Sequence, residues 1–301
     1  MNSLYMLIGL PASGKSTIAQ ELSKSEEAII VSSDEIRQEL LGDINDQTQN
    51  ARVFEEVEKR IKEGLLKGNV IYDATNINYK KRRAFLQKLN KMQVRKIAVL
   101  IATPYEECLR RNAKRERKVP EEVIKRMYFN FYIPQYYEGF DDIQIKYNSD
   151  YMFFFDDLED MEQDNPHHTL TVLKHCKRVE EIINKATIVP YWLMFSARLH
   201  DIGKLKTKTF INKKGEETEI AHFYDHEKVS AYDSLFYVNL RGILELENDT
   251  NMVLETLKLI QWHMIMHFKM SDKTITKYKN MLGEGFWEDL EKLHKADCEA
   301  K

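Results

Sequence analysis

The octapeptide Gly9-Leu10-Pro11-Ala12-Ser13-Gly14-Lys15-Ser16 constrains this chain more than any other stretch. An apolar run, Leu4 to Ile8, precedes it and reads as a buried strand, while Thr17-Ile18-Ala19-Gln20-Glu21-Leu22 follows and reads as a helix. That is the context of a phosphate-binding loop. Two glycines let the backbone curl into a nest of N–H groups, and the positive end of the helix adds to it. Lys15 would reach the outer phosphates and Ser16 would ligate Mg²⁺, with Gly9, Ser13, Gly14 and Thr17 completing the cradle. ATP or GTP with Mg²⁺ is therefore the first expected ligand. The competing reading is a glycine-rich turn that binds nothing.

A chain of 301 residues exceeds the usual single domain, so two domains are expected, 1–150 and 151–301. Cys108, Cys176 and Cys298 are odd in number and show no C-x-x-C spacing, which argues against a disulfide framework or zinc knuckle. No stretch resembles a signal peptide and no apolar run is long enough to span a bilayer, so a cytoplasmic protein without membrane contact is expected. Residues 1–150 hold 25 Lys+Arg against 22 Asp+Glu (+3), and the remainder holds 20 against 26 (−6). Neither half has the basicity of a dedicated nucleic-acid binder, and the acidic half suits a site that holds cations.

The first half alternates strands and helices: strands Leu4–Leu10, Ala28–Ser33, Asn69–Thr75 and Val94–Ala102, with helical stretches between and after them. This pattern predicts a mostly parallel sheet covered on both faces, with ligands at the carboxyl ends of its strands. After the second strand comes Ser33-Asp34-Glu35-Ile36-Arg37. Asp34 there would accept a proton from an attacking hydroxyl and Arg37 would bind a phosphate; equally, Asp34 would merely cap a helix. After the third comes Asp73-Ala74-Thr75-Asn76, where Asp73 would hold the metal and Thr75 and Asn76 would lie near substrate. After the fourth, residues 110–118 pack six cations into nine positions, either a solvated helix face or a lid whose Arg111 and Arg115, four apart, point the same way.

Taken in order, G-L-P-A-S-G-K-S, S-D-E-I-R, D-A-T-N and R-R-N-A-K-R…V-P-E-E-V-I-K-R-M resemble the 5′-hydroxyl polynucleotide kinase domain of bacteriophage and bacterial RNA end-healing enzymes, over roughly residues 1–147. The resemblance implies Lys15 and Ser16 on phosphates and magnesium, and Asp34 as general base for the 5′-hydroxyl. It further implies Arg37 on the acceptor's 3′-phosphate, and Arg111 and Arg115 as lid arginines. Small-molecule and tRNA-modifying P-loop kinases share some of these motifs.

Asn148–Pro166 joins an aromatic knot, Tyr151-Met152-Phe153-Phe154-Phe155, to an acidic run, and reads as a connector that docks and then stays wet. Beyond it the pattern is helical almost throughout, with one hairpin expected at Leu205–Ile220 around Lys214-Gly215. Histidines stand out: His175 within a helix, the doublet His200-Asp201 at a helix end, His222 and His226 four apart, His263, and a remote Asp297. Neutral imidazoles and a bridging carboxylate can gather around one or two divalent ions.

H-H-T-L-T-V-L-K-H-C, R-L-H-D-I-G-K and A-H-F-Y-D-H-E-K-V-S-A resemble the HD phosphohydrolase superfamily, most of all the HD domain of bacterial CCA-adding tRNA nucleotidyltransferases, over roughly residues 165–300. The resemblance implies His175, His200, Asp201 and Asp297 around a first metal, and His226 and His263 with Asp201 around a second. His222 would be an extra ligand or phosphate contact, and Lys204 would stabilise charge on the phosphate. The metal would be a divalent transition ion (Mn²⁺, Fe²⁺, Co²⁺, Ni²⁺ or Zn²⁺), and water activated by it the nucleophile.

The two resemblances together imply a bifunctional enzyme acting on nucleic-acid ends, RNA or DNA. It would phosphorylate a 5′-hydroxyl and hydrolyse a 2′,3′-cyclic phosphate or a 2′- or 3′-phosphate. The alternatives are a nucleoside or nucleotide kinase fused to an HD nucleotidase, and a binding module without turnover.

Overall fold

Strand β1 (Asn2–Ile8) lies at the centre of a five-stranded sheet, with β2 (Ala28–Ser32), β3 (Asn69–Asp73), β4 (Val94–Ala102) and β5 (Asp142–Tyr147) in the order β2-β3-β1-β4-β5, in a computed structural model that describes residues 1–166 and 169–300. Every pairing is parallel, as the alternating pattern predicts. The fifth strand is an addition to the four read from the sequence. His167 and His168, the first two residues of the H-H-T-L-T-V-L-K-H-C stretch, lie outside the described residues.

The strand order reverses direction at β1, so the crevice at a topological switch point opens at that strand's carboxyl end, where the glycine loop begins. Helices α1 (Lys15–Ser25), α2 (Ser33–Leu41), α3 (Asn50–Leu65), α4 (Tyr79–Gln87), α5 (Tyr105–Ala113) and α6 (Glu121–Phe129) connect and follow the strands. Tyr5, Leu7, Ala28, Ile71, Ile97, Val99 and Ile101 form a buried layer on one sheet face, against which α1 sets Ala19 with Ile18 and Leu22. Burial of these apolar side chains is what holds the loop's two flanking elements rigid.

The chain divides into two compact units, Met1–Met127 with Pro134–Asp150, and Tyr128–Ile133 with Tyr151–Lys301. Beside the expected 1–150 and 151–301, the second unit thus takes in Tyr128–Ile133: Tyr128 donates from its hydroxyl to Asp233 at 2.6 Å, and the Ile133 amide donates to Gln261 Oε1 at 2.8 Å.

The second unit is helical: α7 (Val172–Ile183), α8 (Tyr191–Leu199), α9 (Lys204–Thr207), α10 (His226–Ser234), α11 (Val238–Gly242), α12 (Thr250–Trp262), α13 (Asp272–Leu282) and α14 (Glu284–Glu299). α8 packs between α7 and α12, while α14 lies on α7. The expected hairpin is present as β6 (Lys208–Ile211) and β7 (Glu217–Phe223), with Gly215 at the turn. The connector does dock, Phe153 exchanging backbone hydrogen bonds with Phe236 and Val238. Its acidic end is not simply wet, however. Asp160 accepts from the Leu173 amide at 2.9 Å and the Thr171 hydroxyl at 2.6 Å at the start of α7, and Gln163 is buried. No helix among the described residues is long and apolar enough to cross a membrane.

Candidate functional site

The glycine loop runs from the end of β1 into α1. Gly14 takes φ 95° as the cap of α1, in the left-handed region that an L side chain adopts with strain. A Cβ there would also come within 2.1 Å of Asn148 Nδ2, which donates to the Ser13 carbonyl at 2.7 Å. The Gly9 amide donates to the Thr75 carbonyl at 3.1 Å and fixes the loop's first residue against the end of β3. Ser13 is buried, and its hydroxyl has no hydrogen-bond partner, a polar atom left for a ligand in a cradle of amides. These features fit a triphosphate.

Lys15 Nζ donates to the Leu10 carbonyl at 2.7 Å, and desolvation holds its pKa below the ordinary lysine value. Ser16 Oγ donates to Asp73 Oδ2 at 3.1 Å, pairing hydroxyl and carboxylate as a magnesium site requires. Burial pushes the Asp73 carboxyl up, with Lys15 and the Ser16 hydrogen bond pulling it back. Thr17 is exposed on the first turn of α1. Asn76 departs from expectation. It adopts φ 47° and donates to the Leu7 carbonyl at 2.9 Å, so its side chain pins β3 to β1 instead of facing substrate.

Asp34 follows β2 as the second residue of α2, whose cap is Ser32, so the capping alternative for Asp34 does not hold. One carboxylate oxygen of Asp34 meets Arg37 Nη1 at 3.1 Å and the other Arg117 Nη1 at 2.8 Å. Arg37 is buried, donates to Asn50 Oδ1 at 3.0 Å, and keeps one unpartnered donor, Nε. Asp34 also acts electrostatically on both Lys15 and Asp73.

The cationic run splits where α5 ends at Ala113. Arg111, on the helix, is clamped by Glu107 at 2.5 Å and donates to the Asn148 carbonyl at 2.7 Å, with Nη1 3.7 Å from where a Gly14 Cβ would stand. Arg115 lies past the helix and is exposed, so four-residue spacing does not put it on a face with Arg111; its charge nevertheless helps depress Lys15. Arg117 and Asn148 escaped the sequence reading. Arg117 sits in a bend where no periodicity applies, and Asn148 opens the polar stretch Asn148-Ser149-Asp150 after an unrecognised strand.

In the second unit, five elements bring His175, His200, Asp201, His226, His263 and Asp297 together, every one buried. His175 projects from α7, His200 and Asp201 end α8, His226 opens α10, His263 follows α12, and Asp297 lies on α14. Asp201 stands between two groups. Its Oδ2 faces His175 Nε2 at 3.6 Å and His200 Nε2 at 3.5 Å; its Oδ1 faces His226 Nε2 at 3.1 Å and His263 Nε2 at 3.6 Å. Asp297 Oδ1 lies 3.0 Å from His175 and 4.0 Å from His200. His175, His200 and Asp201 form one set that could hold an ion, and Asp201, His226 and His263 another.

The ring orientations fit metal binding. Nδ1 of His200, His226 and His263 lies 2.9, 2.7 and 2.7 Å from the carbonyls of Ala197, Phe223 and Ile260, each three residues earlier. Donation to those carbonyls occupies Nδ1 and turns each Nε2 inward, where an ion could take its lone pair in place of the contacts His226 Nε2 makes with Asp201 and His263. The buried Nε2 of His200 has no hydrogen-bond partner. Burial lowers the His200 pKa to about 3, so this imidazole is neutral, as a ligand must be. Burial pushes the Asp201 carboxyl up, but Lys204 and His200 outweigh it and hold the group well below its usual range. For Asp297 the hydrogen bonds from His175 and His267 likewise overcome burial.

Lys204 Nζ lies 2.6 Å from Asp201 Oδ2, 2.9 Å from Gln163 Oε1 and 5.3 Å from the Phe223 ring centre. A cavity of about 290 Å³ opens onto the cluster, lined among others by Asn165, His222, Tyr224 and His267. His222 does not join the ligands: β7 carries it, it lies 3.2 Å from the Thr218 hydroxyl, and its ring stacks on Tyr224. His267, 2.9 Å from Asp297 Oδ2, was missed, although its four-residue spacing from His263 was a usable signal.

The fold and these two centres define a P-loop domain of the kinase type followed by an HD domain. Residues 4–134 match the family described as AAA domain, and residues 167–282 match the HD domain. The chain is 32% identical over 137 residues to the L-seryl-tRNA(Sec) kinase of Methanococcus maripaludis, covering 44% of this chain and 53% of that protein, so it spans about half the length of this curated relative. Solved structures similar to it include a chain of the Pnkp1/Rnl/Hen1 RNA repair complex, at 26% identity over 42% of each chain with a TM-score of 0.37. Another is a gluconokinase from Sinorhizobium meliloti 1021, at 12% identity over 48% of this chain and 82% of that one, with a TM-score of 0.36.

Proposed function

We propose that this protein prepares broken nucleic-acid ends for joining, its first domain transferring the γ-phosphoryl group of ATP to a 5′-hydroxyl and its second hydrolysing a 2′,3′-cyclic phosphate, a 2′-phosphate or a 3′-phosphate. The observation that carries the reading is the setting of Asp34, a carboxylate flanked by Arg37 and Arg117 within electrostatic reach of Lys15 and Asp73. A base for a hydroxyl and guanidinium groups for a phosphate then lie side by side, which suits an acceptor carrying both. A free nucleoside has no phosphate to offer them.

In this reading Lys15 leaves the Leu10 carbonyl for the outer phosphates, and Asp34 accepts the proton of the attacking 5′-hydroxyl. Arg37 grips the adjoining 3′-phosphate, while Arg111 and Arg115 take up charge on the transferring group. Ser16 and Asp73 would hold the magnesium ion, which would supply positive charge to the triphosphate. In the second domain His175, His200, Asp201 and Asp297 would hold one transition-metal ion and Asp201, His226 and His263 another. Such ions supply Lewis acidity toward phosphate oxygens and a water of lowered pKa. Lys204, tethered to Asp201 and Gln163, stands ready to pair with a phosphate oxygen at the mouth of the cavity.

The curated relative favours a second reading of the first domain. That protein is named a kinase of L-seryl-tRNA(Sec), so the acceptor hydroxyl would belong to an aminoacyl group borne by RNA. Labelled ATP offered with 5′-hydroxyl oligonucleotides, seryl-tRNA and free nucleosides separates the readings. End-healing requires label on the oligonucleotide, lost in Lys15→Ala and Asp34→Asn. Label only on nucleosides, with nucleotides the substrates of the HD domain, would establish a nucleotide-metabolising pair instead.

A further inference from the structure

We propose that the outer side of α14 carries a further metal site, formed by His267, His294 and Cys298 and suited to a zinc-class divalent ion. His294 and Cys298 are one helical turn apart on α14, with Cys298 Sγ 3.7 Å from His294 Nε2. His267 reaches across from the short turn His263–His267, its ring centre 4.5 Å from that of His294 and nearly perpendicular to it. One ligand atom from each of the three lies within 4.8 Å of the others. Bonds of about 2.3 Å to sulfur and about 2.0 Å to nitrogen place such ligands roughly 3.5 Å apart around a tetrahedral ion, which the spacing here approaches. One thiolate and two imidazoles select zinc, cobalt or nickel over magnesium or calcium. Three protein ligands leave a fourth position to solvent, which the exposure of Cys298 permits.

A second feature supports the assignment. His267 Nε2 is 2.9 Å from Asp297 Oδ2, the carboxylate–imidazole arrangement that orients metal-binding histidines, and it leaves Nδ1 for an ion. The same two elements serve both centres. The turn buries His263 in the inner centre and leaves His267 exposed at the rim of its cavity, and α14 buries Asp297 while His294 is half-buried and Cys298 exposed. An ion bound outside would clamp the turn to α14 and hold Asp297 in register with His175. The site does not depend on which phosphate ester the inner centre hydrolyses.

The thiols make a selective test available. Cys108 and Cys176 are buried and Cys298 is exposed, so a thiolate–metal signal reports on Cys298. The 301-residue protein, stripped with chelator, is titrated with Co²⁺ and then with Zn²⁺. A thiolate-to-cobalt charge-transfer band with the amplitude of a single Co²⁺–thiolate centre, saturating once the inner sites are also filled and displaced by Zn²⁺, is expected. Cys298→Ser abolishes the band, and His294→Gln moves its midpoint to roughly tenfold higher Co²⁺ or more. Metal analysis by mass spectrometry should show each variant binding one equivalent fewer than the unaltered protein. Absence of the band, a band indifferent to His294→Gln, or unchanged metal content in both variants would overturn the site.

Discussion

Replacing Gly203 by alanine tests how closely the second centre depends on packing. Gly203 has φ −64°, which any residue adopts, so the constraint is one of space. A Cβ there would stand 2.3 Å from the His226 carbonyl oxygen, 2.6 Å from the Ser230 amide nitrogen and 2.8 Å from the Ser230 hydroxyl, whereas ordinary contact begins at 3.4 Å. The start of α10 must therefore retreat by about 1 Å, since backbone atoms of a helix cannot swing aside. His226 is the first residue of that helix and reaches Asp201 Oδ1 at 3.1 Å, while Asp201 lies two residues before the glycine. Metal–ligand distances tolerate about 0.2 Å, so a displacement of this size should empty the His226–His263 side of the centre. Overpacking of this kind costs about 2 kcal/mol, or about 6 °C in the melting temperature of a domain this large. Calorimetry, metal content and phosphoesterase assays on Gly203→Ala should show the lower melting point, fewer bound ions and lost hydrolysis, with phosphoryl transfer by the first domain retained as internal control. A variant that melts within about 1 °C of the parent and keeps its full metal content would refute the packing argument.

Gly14→Ala should abolish ATP binding, measured by calorimetric titration, because φ 95° and the 2.1 Å approach to Asn148 both oppose a side chain; binding within twofold of the parent would contradict this. Arg37→Ala should raise KM for a 3′-phosphorylated acceptor by roughly tenfold to hundredfold while sparing the KM for ATP; equal effects on both would point to collapse of α2 instead. Asp201→Ala should eliminate hydrolysis and leave kinase turnover within about twofold, since the residues lie in separate units. Hydrogen bonds from Arg110 and Arg111 outweigh desolvation and hold the Glu107 carboxyl at about 2, below its ordinary 4.5. The folded state therefore favours the ionised form, and the stabilisation is complete above 4.5 and lost as pH falls toward 2. Urea unfolding should show the parent and Glu107→Gln converging across that window, and a gap independent of pH would reject the attribution.

The parallel sheet was legible because the buried parts of β1 and β4, Leu4–Ile8 and Ile97–Ala102, read as unbroken apolar runs. β5 carried a usable signal that the reading of four strands did not take up: Asp142-Ile143-Gln144-Ile145-Lys146-Tyr147 alternates polar and apolar residues as a half-buried edge strand does. The inner histidines were legible as a set because His-Asp at a helix end is an unusual doublet. Their convergence on Asp201, and the backbone carbonyls that fix their tautomers, depend on how five distant elements pack, which no local pattern encodes. Arg115 shows the opposite failure: helical periodicity was carried two residues past the end of α5. Arg117, in the bend that follows, makes the contact with Asp34.

Tyr128–Ile133 belongs with residues far downstream, and this has a practical bearing on how the halves can be studied apart. A fragment beginning at Tyr151 would lack Tyr128, Phe131 and Ile133, all fully enclosed, and would strand the amide oxygen of Gln261. Its truncated interior should aggregate or bind hydrophobic dyes, whereas the same fragment supplied with a peptide spanning that stretch should recover. A cut at residue 150 thus removes part of the second unit's interior.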